Sequence, residues 1–433
     1  MSLIQHPGTS TVEVSVARSI EEVERLRAHW EAWPGHRDSD IDFYLTILQS
    51  YPEILGPHII TLRRNGNPAA IMVGRLEEKR LPFRIGYFTL LGRKARCLTF
   101  VYGAIHGDQT PETTEQLLRE LTNSLRREAD VALLEFVPIE SPLYRLALRL
   151  PGILSPDTAS PAQPHHVMEV PDSMDEVYRR MSSGRRIELR RRVRKLENHP
   201  AGTPRIVCYQ DPCELDVLFR DTEVIARKTY QRGLGAGFAD TRDVHLRLEL
   251  AAKKGWLRAY ILYLGDRPCA FWIGMLYGST FVSEYMGYDP EFRQLSVGMV
   301  LIMRVIERFC NRGDGDLVKE LDFGLGHAEY KSALCTKNWL EAAIYIFSPT
   351  PKGLLLKVML TTTIVVDGLA RRLLNSTHAL PRLKRLWRDR LAKGGRHPAK
   401  DQGPAAATAS AESASPLGQL TDSPRADEQA QPL

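Results

Sequence analysis

The clearest pattern of apolar and polar positions lies between residues 281 and 331. Residues 281–286 (FVSEYM) predict a β-strand with two different faces, because successive side chains on a strand point to opposite sides. From Val300 to Phe309, apolar residues recur at the three- and four-residue spacing of a helix that packs on a sheet. A second strand (VKELDFGLG) and a short helical turn (HAEYKSAL) follow. This stretch therefore predicts an α/β unit.

Similar patterns occur in the first half of the chain. Residues 57–76 match residues 256–276, and residues 134–148 match residues 321–334. The two matches occur in the same order, with a helical segment between them in each half. A chance likeness between two hairpins would explain the first match but not both. The chain is therefore predicted to contain an internal duplication of an α/β unit.

We predict a mixed α/β fold of two tandem units, each with a central mixed sheet flanked by helices. A chain of 433 residues has room for two such domains and for extensions. The first unit is expected over residues 1–155 and the second over residues 166–350, joined by a Pro- and Ser-rich linker at 156–165. Basic amphipathic helices are expected over 351–396 and a disordered tail over 397–433.

The turn before the helix of the second unit carries a candidate anion site. Arg293, Ser296 and Gly298 follow the spacing R-x-x-S-x-G. Small residues let backbone N–H groups converge at a helix N-terminus, where a diphosphate binds favourably, and arginine adds a cation suited to phosphate oxygens. The alternative is a plain strand-to-helix turn with Ser296 as the helix cap. The equivalent turn of the first half (HGDQTPETT) has acidic residues and no arginine, so only the second unit is expected to bind an anionic cofactor.

The net charge of +6 is concentrated near the C-terminus. Residues 352–400 contain 12 Lys and Arg against 2 Asp and Glu, whereas the body of the chain is neutral. These amphipathic segments could lie on an anionic membrane surface or dock on the body. A second basic stretch, residues 175–196, predicts either a solvated helix face or arginines that meet a phosphate, Arg186 among them.

Cysteine usage and apolar runs bear on the location of the chain. The six cysteines show no C-x-x-C pair and no metal-ligand spacing, which predicts reduced thiols, no metal site and a cytoplasmic setting. The N-terminal residues show no secretory signal pattern, and no run of 18 apolar residues predicts a membrane span.

Four motifs follow one another along the second half: a basic helix with Ser183, Arg186 and Arg190, then GDRPCA (265–270), then GYDPEFRQLSVG (287–298), then LDFGLGHAEYK (321–331). Together they resemble the CelD-type branch of the GNAT acyltransferases. That branch is related to the FemAB aminoacyl transferases, which also carry duplicated GNAT units. The resemblance covers about residues 170–345 and, weakly, the first half.

The resemblance implies a GNAT fold in which acetyl-CoA or another acyl-CoA lies in a V-shaped opening between two strands. Ser296 and Met299 here replace small residues of the family's R/Q-x-x-G-x-G/A loop. FemAB proteins use aminoacyl-tRNA, but their long helical-hairpin insertion has no counterpart between residues 200 and 350. The residues implied to bind the acyl-CoA are Tyr285, Met286, Arg293, Ser296, Val297, Gly298 and Met299.

Acyl transfer needs a base for the acceptor, donors for a developing oxyanion and a proton for the departing thiolate. Glu284 is the predicted base, with His327 as an alternative. Backbone N–H groups near Tyr285 and Met286 would polarise the carbonyl, and Tyr330 would protonate the thiolate.

Asp322 is predicted to orient the acceptor. Other interpretations are that Tyr330 is a core residue, as its counterpart Tyr144 suggests, and that Asp322 pairs with Lys331. The predicted substrate-binding residues are Trp272, Tyr288, Glu329, Lys331 and Arg186.

These features predict a cytoplasmic acyl-CoA-dependent N- or O-acyltransferase, most simply an acetyltransferase. Its acceptor would be a small-molecule or saccharide precursor of the cell envelope, and residues 352–396 could contact the inner membrane. Nucleic acid is not an expected partner under this hypothesis. The alternatives are an aminoacyl-tRNA-dependent FemAB-like transferase and a non-catalytic, membrane-associated scaffold of an exopolysaccharide synthesis complex.

Overall fold

The computed structural model describes residues 11–85, 88–149, 161–199, 202–229, 232, 237–313 and 315–376. The predicted tail (397–433) and the second part of the predicted basic helices (377–396) lie outside these residues. Within the predicted linker, residues 156–160 also lie outside them, whereas residues 163–165 begin a β-strand. The linker is therefore shorter than the composition of this stretch indicated.

The first half of the chain has five strands and five helices in the part that the structure describes. In chain order they are β1 (Val12–Ala17), α1 (Ile20–Glu24), α2 (Arg27–Ala32), α3 (Ile41–Ser50), β2 (Ile54–Arg64), β3 (Asn67–Ile85), β4 (Phe88–Gly107), α4 (Pro111–Glu128), β5 (Val131–Pro138) and α5 (Pro142–Arg149). A short 3₁₀ helix (Arg37–Ser39) precedes α3.

The described elements of the second half are β6 (Gln163–Glu169), α6 (Met174–Arg179), α7 (Ser183–Glu197), β7 (Pro204–Tyr209), α8 (Leu215–Ala226), α9 (Arg242–Lys253), β8 (Leu257–Leu264), β9 (Arg267–Tyr277), β10 (Thr280–Tyr288), α10 (Val297–Cys310), β11 (Glu320–Leu325), α11 (Glu329–Leu334), β12 (Lys337–Phe347) and α12 (Pro351–Ser376). From β7 onward the second half repeats the strand order of the first, after three additional elements, β6, α6 and α7. Two 3₁₀ helices, Pro212–Glu214 and Pro290–Leu295, precede α8 and α10.

The strands form one mixed sheet in the order β1-β2-β3-β4-β5-β12-β6-β11-β10-β9-β8-β7. The strand that follows α5 crosses to the second unit, where β6 pairs antiparallel with β11. The strand that follows α11 crosses in the opposite direction, and β12 pairs antiparallel with β5. The two crossing strands also pair with each other at the centre of the sheet. The predicted tandem α/β architecture is therefore confirmed, with a reciprocal exchange of one strand between the units.

Local sequence signals explain several element boundaries. Ser19 caps α1 through a capping box with Glu22, as the serine before an acidic turn predicts. The single helix predicted from Ser19 to Trp33 is instead two short helices, α1 and α2. Asn65 and Gly66 both have positive φ, which allows the tight turn between β2 and β3.

Each unit has its own apolar core on the sheet. In the second unit the predicted apolar face of α10 is buried, including Val300, Ile306 and Phe309, and packs on β8 and β9. In the first unit Leu117, Leu121 and other leucines of α4 are fully buried in the equivalent place. Burial of these faces is the main stabilising contribution of both helices.

Candidate active site

Strands β10 and β11 form a parallel pair that separates partway along its length. Pairing in register covers only Thr280–Val282 against Glu320–Asp322. Beyond that point β10 has a bulge between Ser283 and Tyr285, and β11 has one between Asp322 and Gly324. The bulges direct each strand away from the other. The two strands therefore pair in parallel only over their first three residues and leave an opening beyond them.

The N-terminus of α10 lies at the end of this opening. Ser296 adopts a left-handed conformation (φ 54°, ψ 38°), and its side chain makes no capping hydrogen bond. The first intrahelical bond runs from the Val300 N–H to the Ser296 carbonyl oxygen, 3.1 Å away. The N–H groups of Val297, Gly298 and Met299 precede this bond and have no acceptor within the helix. Three candidate residues, Val297, Gly298 and Met299, therefore present a group of amides at a helix start that the Ser296 side chain does not cap.

Two side chains border this amide group. Arg293 is exposed at the end of the 3₁₀ helix. A Cβ atom on Gly298 would lie 3.4 Å from the ring of Tyr288, so the ring packs directly against the helix start. Burial raises the pKa of the Tyr288 hydroxyl, and the positive charge of Arg293 opposes that shift. Arg293 and Tyr288 thus lie together beside the helix N-terminus.

Glu284, the predicted general base, is held in a buried ion pair. Its side chain is only 1% exposed, and its two carboxylate oxygens accept hydrogen bonds from Arg37 and Arg247. Arg37 comes from the first unit, so this pair joins the two halves of the molecule. Both carboxylate oxygens are therefore paired with guanidinium groups, which offsets the cost of burying the charge. The position of Glu284 therefore indicates a structural role rather than the predicted catalytic one.

The two residues that follow Glu284 differ in their surroundings. The Tyr285 hydroxyl accepts a hydrogen bond of 2.7 Å from Arg247, and its ring packs edge-to-face on Phe238. Met286 is half-buried and packs against the core of the second unit. Tyr285 thus belongs to the charged group between the units, whereas Met286 belongs to the side of the sheet that α10 covers.

Asp322 lies in a second buried polar group, again built from both units. Its Oδ1 atom is 2.7 Å from His165 Nε2 and also accepts the Gly324 N–H. His165 Nδ1 faces Glu341 at 3.3 Å, and the ring stacks on Trp339 at 4.6 Å. Burial disfavours the imidazolium ion, but the two carboxylates outweigh it and raise the pKa of His165 to about 10. The His165 imidazolium, which faces both Asp322 and Glu341, therefore holds the Asp322 carboxylate in place.

Three other predicted residues are part of the core of the second unit. Trp272 is fully buried, stacks on Phe323 and donates a hydrogen bond to Ser283, so it does not line the predicted acceptor groove. The ring of Tyr330 packs edge-to-face on Phe323, 5.7 Å away. Lys331 is buried, and its ammonium group donates to the Leu325 carbonyl oxygen.

The remaining predicted residues lie near the surface. His327 is exposed after β11. Glu329 forms an ion pair of 3.2 Å with Arg185, which connects α11 to the basic helix α7. Arg186 lines an open groove of about 600 Å³ on α7 together with Tyr178 and Arg190. Arg186 and Glu329 are thus close in the fold, although nearly 150 residues separate them.

Two cavities meet at the junction of the units. The smaller one, about 60 Å³, lies among charged residues that include Arg37, Arg247 and Glu284. The larger one, about 230 Å³, has a mainly apolar lining and lies between β4 and β5 of the first unit. Both are lined by Val101 and Glu135. The first unit therefore has a cavity at its own separated strand pair, which the sequence did not predict.

Glu135 is the polar residue of this larger cavity. Burial raises the pKa of its carboxyl to about 7, although Arg75 and Lys79 pull the pKa down. Arg75 is 3.7 Å from Glu135 Oε1, and among the described residues none donates a hydrogen bond to that atom. Glu135 therefore holds its proton to a higher pH than an ordinary glutamate does.

Sequence reasoning missed the residues that surround Glu284 and Asp322. Arg37, Arg247 and His165 come from distant segments, and none lies in a recognisable motif. His165 falls in the stretch assigned to the linker, where a histidine pair (His165, His166) between apolar residues was the one available signal. Within the part of the chain that the structure describes, no three His, Cys, Asp or Glu side chains are grouped to hold a metal ion.

The fold and the geometry of this site together indicate a class of protein. Two α/β units with separated parallel strands, one of them followed by a helix with open amides, are the architecture of GNAT-type acyltransferases. A family model described as "Acetyltransferase (GNAT) domain" matches residues 183–332. Residues 183–332 therefore match a GNAT acetyltransferase domain, in agreement with the predicted relationship.

Comparison with solved structures found similar proteins of low sequence identity. FemX is 11% identical and the match covers 77% of this chain and 98% of FemX, with a TM-score of 0.49. A protein of unknown function from Bacteroides thetaiotaomicron is 12% identical over 77% of this chain and 100% of that one, with a TM-score of 0.46. A tandem GNAT protein from the clavulanic acid biosynthesis pathway is 12% identical over 78% and 100%, with a TM-score of 0.45. A comparison with curated protein sequences found no match.

Proposed function

We propose that the second unit transfers an acyl group from a CoA thioester to an amine or hydroxyl of a small acceptor. One observation supports this proposal above the others. The segment that matches the acetyltransferase model contains both the separated pair β10/β11 and the amide group at Val297–Met299. Converging N–H groups at a helix N-terminus bind a diphosphate well.

Each part of the opening would have one task. The amides of Val297, Gly298 and Met299 would hold the diphosphate, with Arg293 as its cationic partner. Backbone N–H groups at the β10 bulge, near Tyr285 and Met286, would donate to the thioester carbonyl oxygen as negative charge develops there.

Proton transfer needs groups other than Glu284, which two arginines occupy. His165 is not suited to accept a proton at neutral pH, because its pKa of about 10 keeps it protonated. We assign the base to His327, which is exposed after β11. Tyr330, three residues further along the chain, would protonate the departing thiolate.

Isothermal titration calorimetry with acetyl-CoA tests the donor. Arg293→Ala should weaken binding by about 10- to 100-fold, because it removes a charge-assisted contact to phosphate. Arg119→Ala is the matched control, since Arg119 is an exposed arginine on α4, the equivalent helix of the first unit. Wild-type protein that binds no acetyl-CoA, or an Arg293→Ala variant that binds it unchanged, contradicts the assignment.

The arginine groove on α7 favours a second candidate donor, an aminoacyl-tRNA. Arg179, Arg186 and Arg190 line this open groove and could follow a phosphate backbone. This candidate predicts that RNA copurifies with the protein and that RNA affinity falls steeply with salt.

The acceptor would in either case be a small or saccharide precursor of the cell envelope. A scaffold function would be indicated if Tyr330→Phe and His327→Ala variants retained full activity in vivo.

A further inference from the structure

Helix α12 presents two apolar faces, and one of them packs on the protein. Leu356 is 1% exposed and joins Leu81, Ala95 and Phe347 in a small apolar cluster on the first unit. The helix starts tightly against β12, since a Cβ atom on Gly353 would lie 2.2 Å from the Ser348 carbonyl oxygen. The first half of the helix is therefore docked on the body.

The opposite face of α12 is apolar and exposed. Positions 354, 358, 365 and 369 recur at intervals of four, seven and four residues, so they share one face of the helix. Apolar residues that are wholly exposed to solvent in this pattern mark an interaction surface. The exposed residues are Leu354 (38%), Leu355 (44%), Val358 (62%), Val365 (53%), Val366 (39%) and Leu369 (54%).

Cations border this face. The long β3/β4 hairpin, which α12 packs against, carries the exposed Arg93. Arg93 is paired with Leu81 in the sheet register, so both residues lie on the face of the hairpin that α12 covers. The chain that follows the helix is strongly basic in sequence, from Arg382 to Lys400. An apolar stripe flanked by positive charge is the pattern of a helix that lies in a membrane interface.

We propose that the outer face of α12 and the neighbouring β3/β4 hairpin dock the protein on an anionic lipid bilayer. The helix lies in the plane of the interface, with its exposed leucines and valines among the acyl chains and the cations at the headgroups. Among the residues that the structure describes, no helix has the length and apolar content needed to cross a membrane.

The charge of this surface distinguishes a bilayer from a second copy of the chain. Two copies joined through α12 would bring two basic hairpins and two basic C-terminal segments together, and like charges at an interface oppose association. An anionic lipid surface instead neutralises both. This proposal does not depend on the transferase proposal, because α12 packs on the first unit and the proposed acyl-CoA site lies in the second unit.

Flotation of the full-length protein with vesicles tests the proposal. We expect binding to vesicles of equal parts phosphatidylcholine and phosphatidylglycerol, and much weaker binding to phosphatidylcholine alone. Val358→Asp combined with Val365→Asp should reduce binding by about tenfold or more, because two apolar anchors become charged. Arg93→Glu should reduce binding mainly at low salt.

Val224→Asp is the matched control, because Val224 is an exposed valine (45%) on α8, away from this surface. It should float with vesicles as the wild type does. The proposal is overturned if the wild type does not bind anionic vesicles, or if the Val358/Val365 variant binds them equally well. Light scattering that shows a dimer of the wild type and a monomer of that variant would instead assign the face to self-association.

Discussion

Each unit has a parallel strand pair that separates partway along its length, and the two pairs lie in equivalent positions. The residues around the opening differ between the units. In the first unit the opening between β4 and β5 is a mainly apolar cavity of about 230 Å³. The helix that follows, α4, starts with Thr110 as its cap and with Pro111 and Glu112 in its first turn. In the second unit the helix after the opening starts with uncapped amides beside Arg293. The duplication has therefore given one unit a helix start with open amides and the other an apolar cavity.

One pair of equivalent residues shows the same divergence in charge. Glu135 on β5 corresponds to Asp322 on β11, and both are buried. Burial raises the pKa of Asp322 less than the hydrogen bond and charge of His165 lower it, so the net shift is downward. In the part of the chain that the structure describes, Glu135 Oε1 accepts no hydrogen bond, and the pKa of Glu135 is raised. The neighbours, rather than the position in the fold, decide which of the two carboxyls is ionised.

The largest expected effect is on the ion pair that joins the units. Arg247→Ala leaves a buried carboxylate, Glu284, with one guanidinium instead of two, and breaking a buried pair in this way costs about 3–5 kcal/mol of the free energy of unfolding. Urea denaturation measures the change. Arg227→Ala is the control, because the Arg227 side chain is 74% exposed and its ion pair contributes about 1 kcal/mol or less.

The next effect tests the charge of Glu135. A carboxyl whose pKa is raised in the folded state stabilises it less as the pH rises from about 4.5 to about 7, because the unfolded state ionises first. Glu135→Gln cannot ionise, so its free energy of unfolding should increase relative to the wild type over this range, by about 3 kcal/mol. Denaturation at several pH values measures the difference.

Asp322→Asn gives the opposite sign in the same experiment. The pKa of Asp322 is lowered in the folded state, so its contribution to stability is present above its unfolded pKa and lost as the pH falls. The variant should be destabilised most at neutral pH and less in acid. If the free energy of unfolding, relative to the wild type, depended on pH in the same way for Glu135→Gln and Asp322→Asn, the difference between the two carboxyls would be contradicted.

The smallest effect concerns the start of α10. Ser296→Gly should raise the free energy of unfolding by about 0.5–1 kcal/mol, because glycine adopts positive φ without strain and the serine hydroxyl caps nothing. Ser182→Gly is a matched control at another helix start, where the side chain does accept the Arg185 N–H and φ is −61°. That variant should lose a few tenths of a kcal/mol. Equal effects at both sites would indicate that Ser296 does cap its helix.

Sequence periodicity predicted the elements of the second unit well. The apolar stripe of α10 and the strands on either side of it lie where the pattern put them, because periodicity reports which face of an element is buried. The duplicated segments likewise fall on equivalent elements, β2/β3 with β8/β9 and β5/α5 with β11/α11.

Pairings between distant segments were not predictable in the same way. Periodicity does not say which element covers a face, so the partners of Glu284 and Asp322 were missed. Arg37 and His165 reach these carboxylates only because the two units share one sheet. The role predicted for Glu284 failed for this reason: its strand position was right, and its neighbours were unknown.

The crossing of β6 and β12 between the units determines whether either half of the chain can fold alone. Cutting the chain between residues 150 and 160 would leave each fragment with a row of unpaired backbone groups where its lost neighbour had been, a template for aggregation. Neither fragment should therefore behave as an autonomous domain. Once such a crossing had arisen, loss of either half would have left an unpaired edge strand in the other.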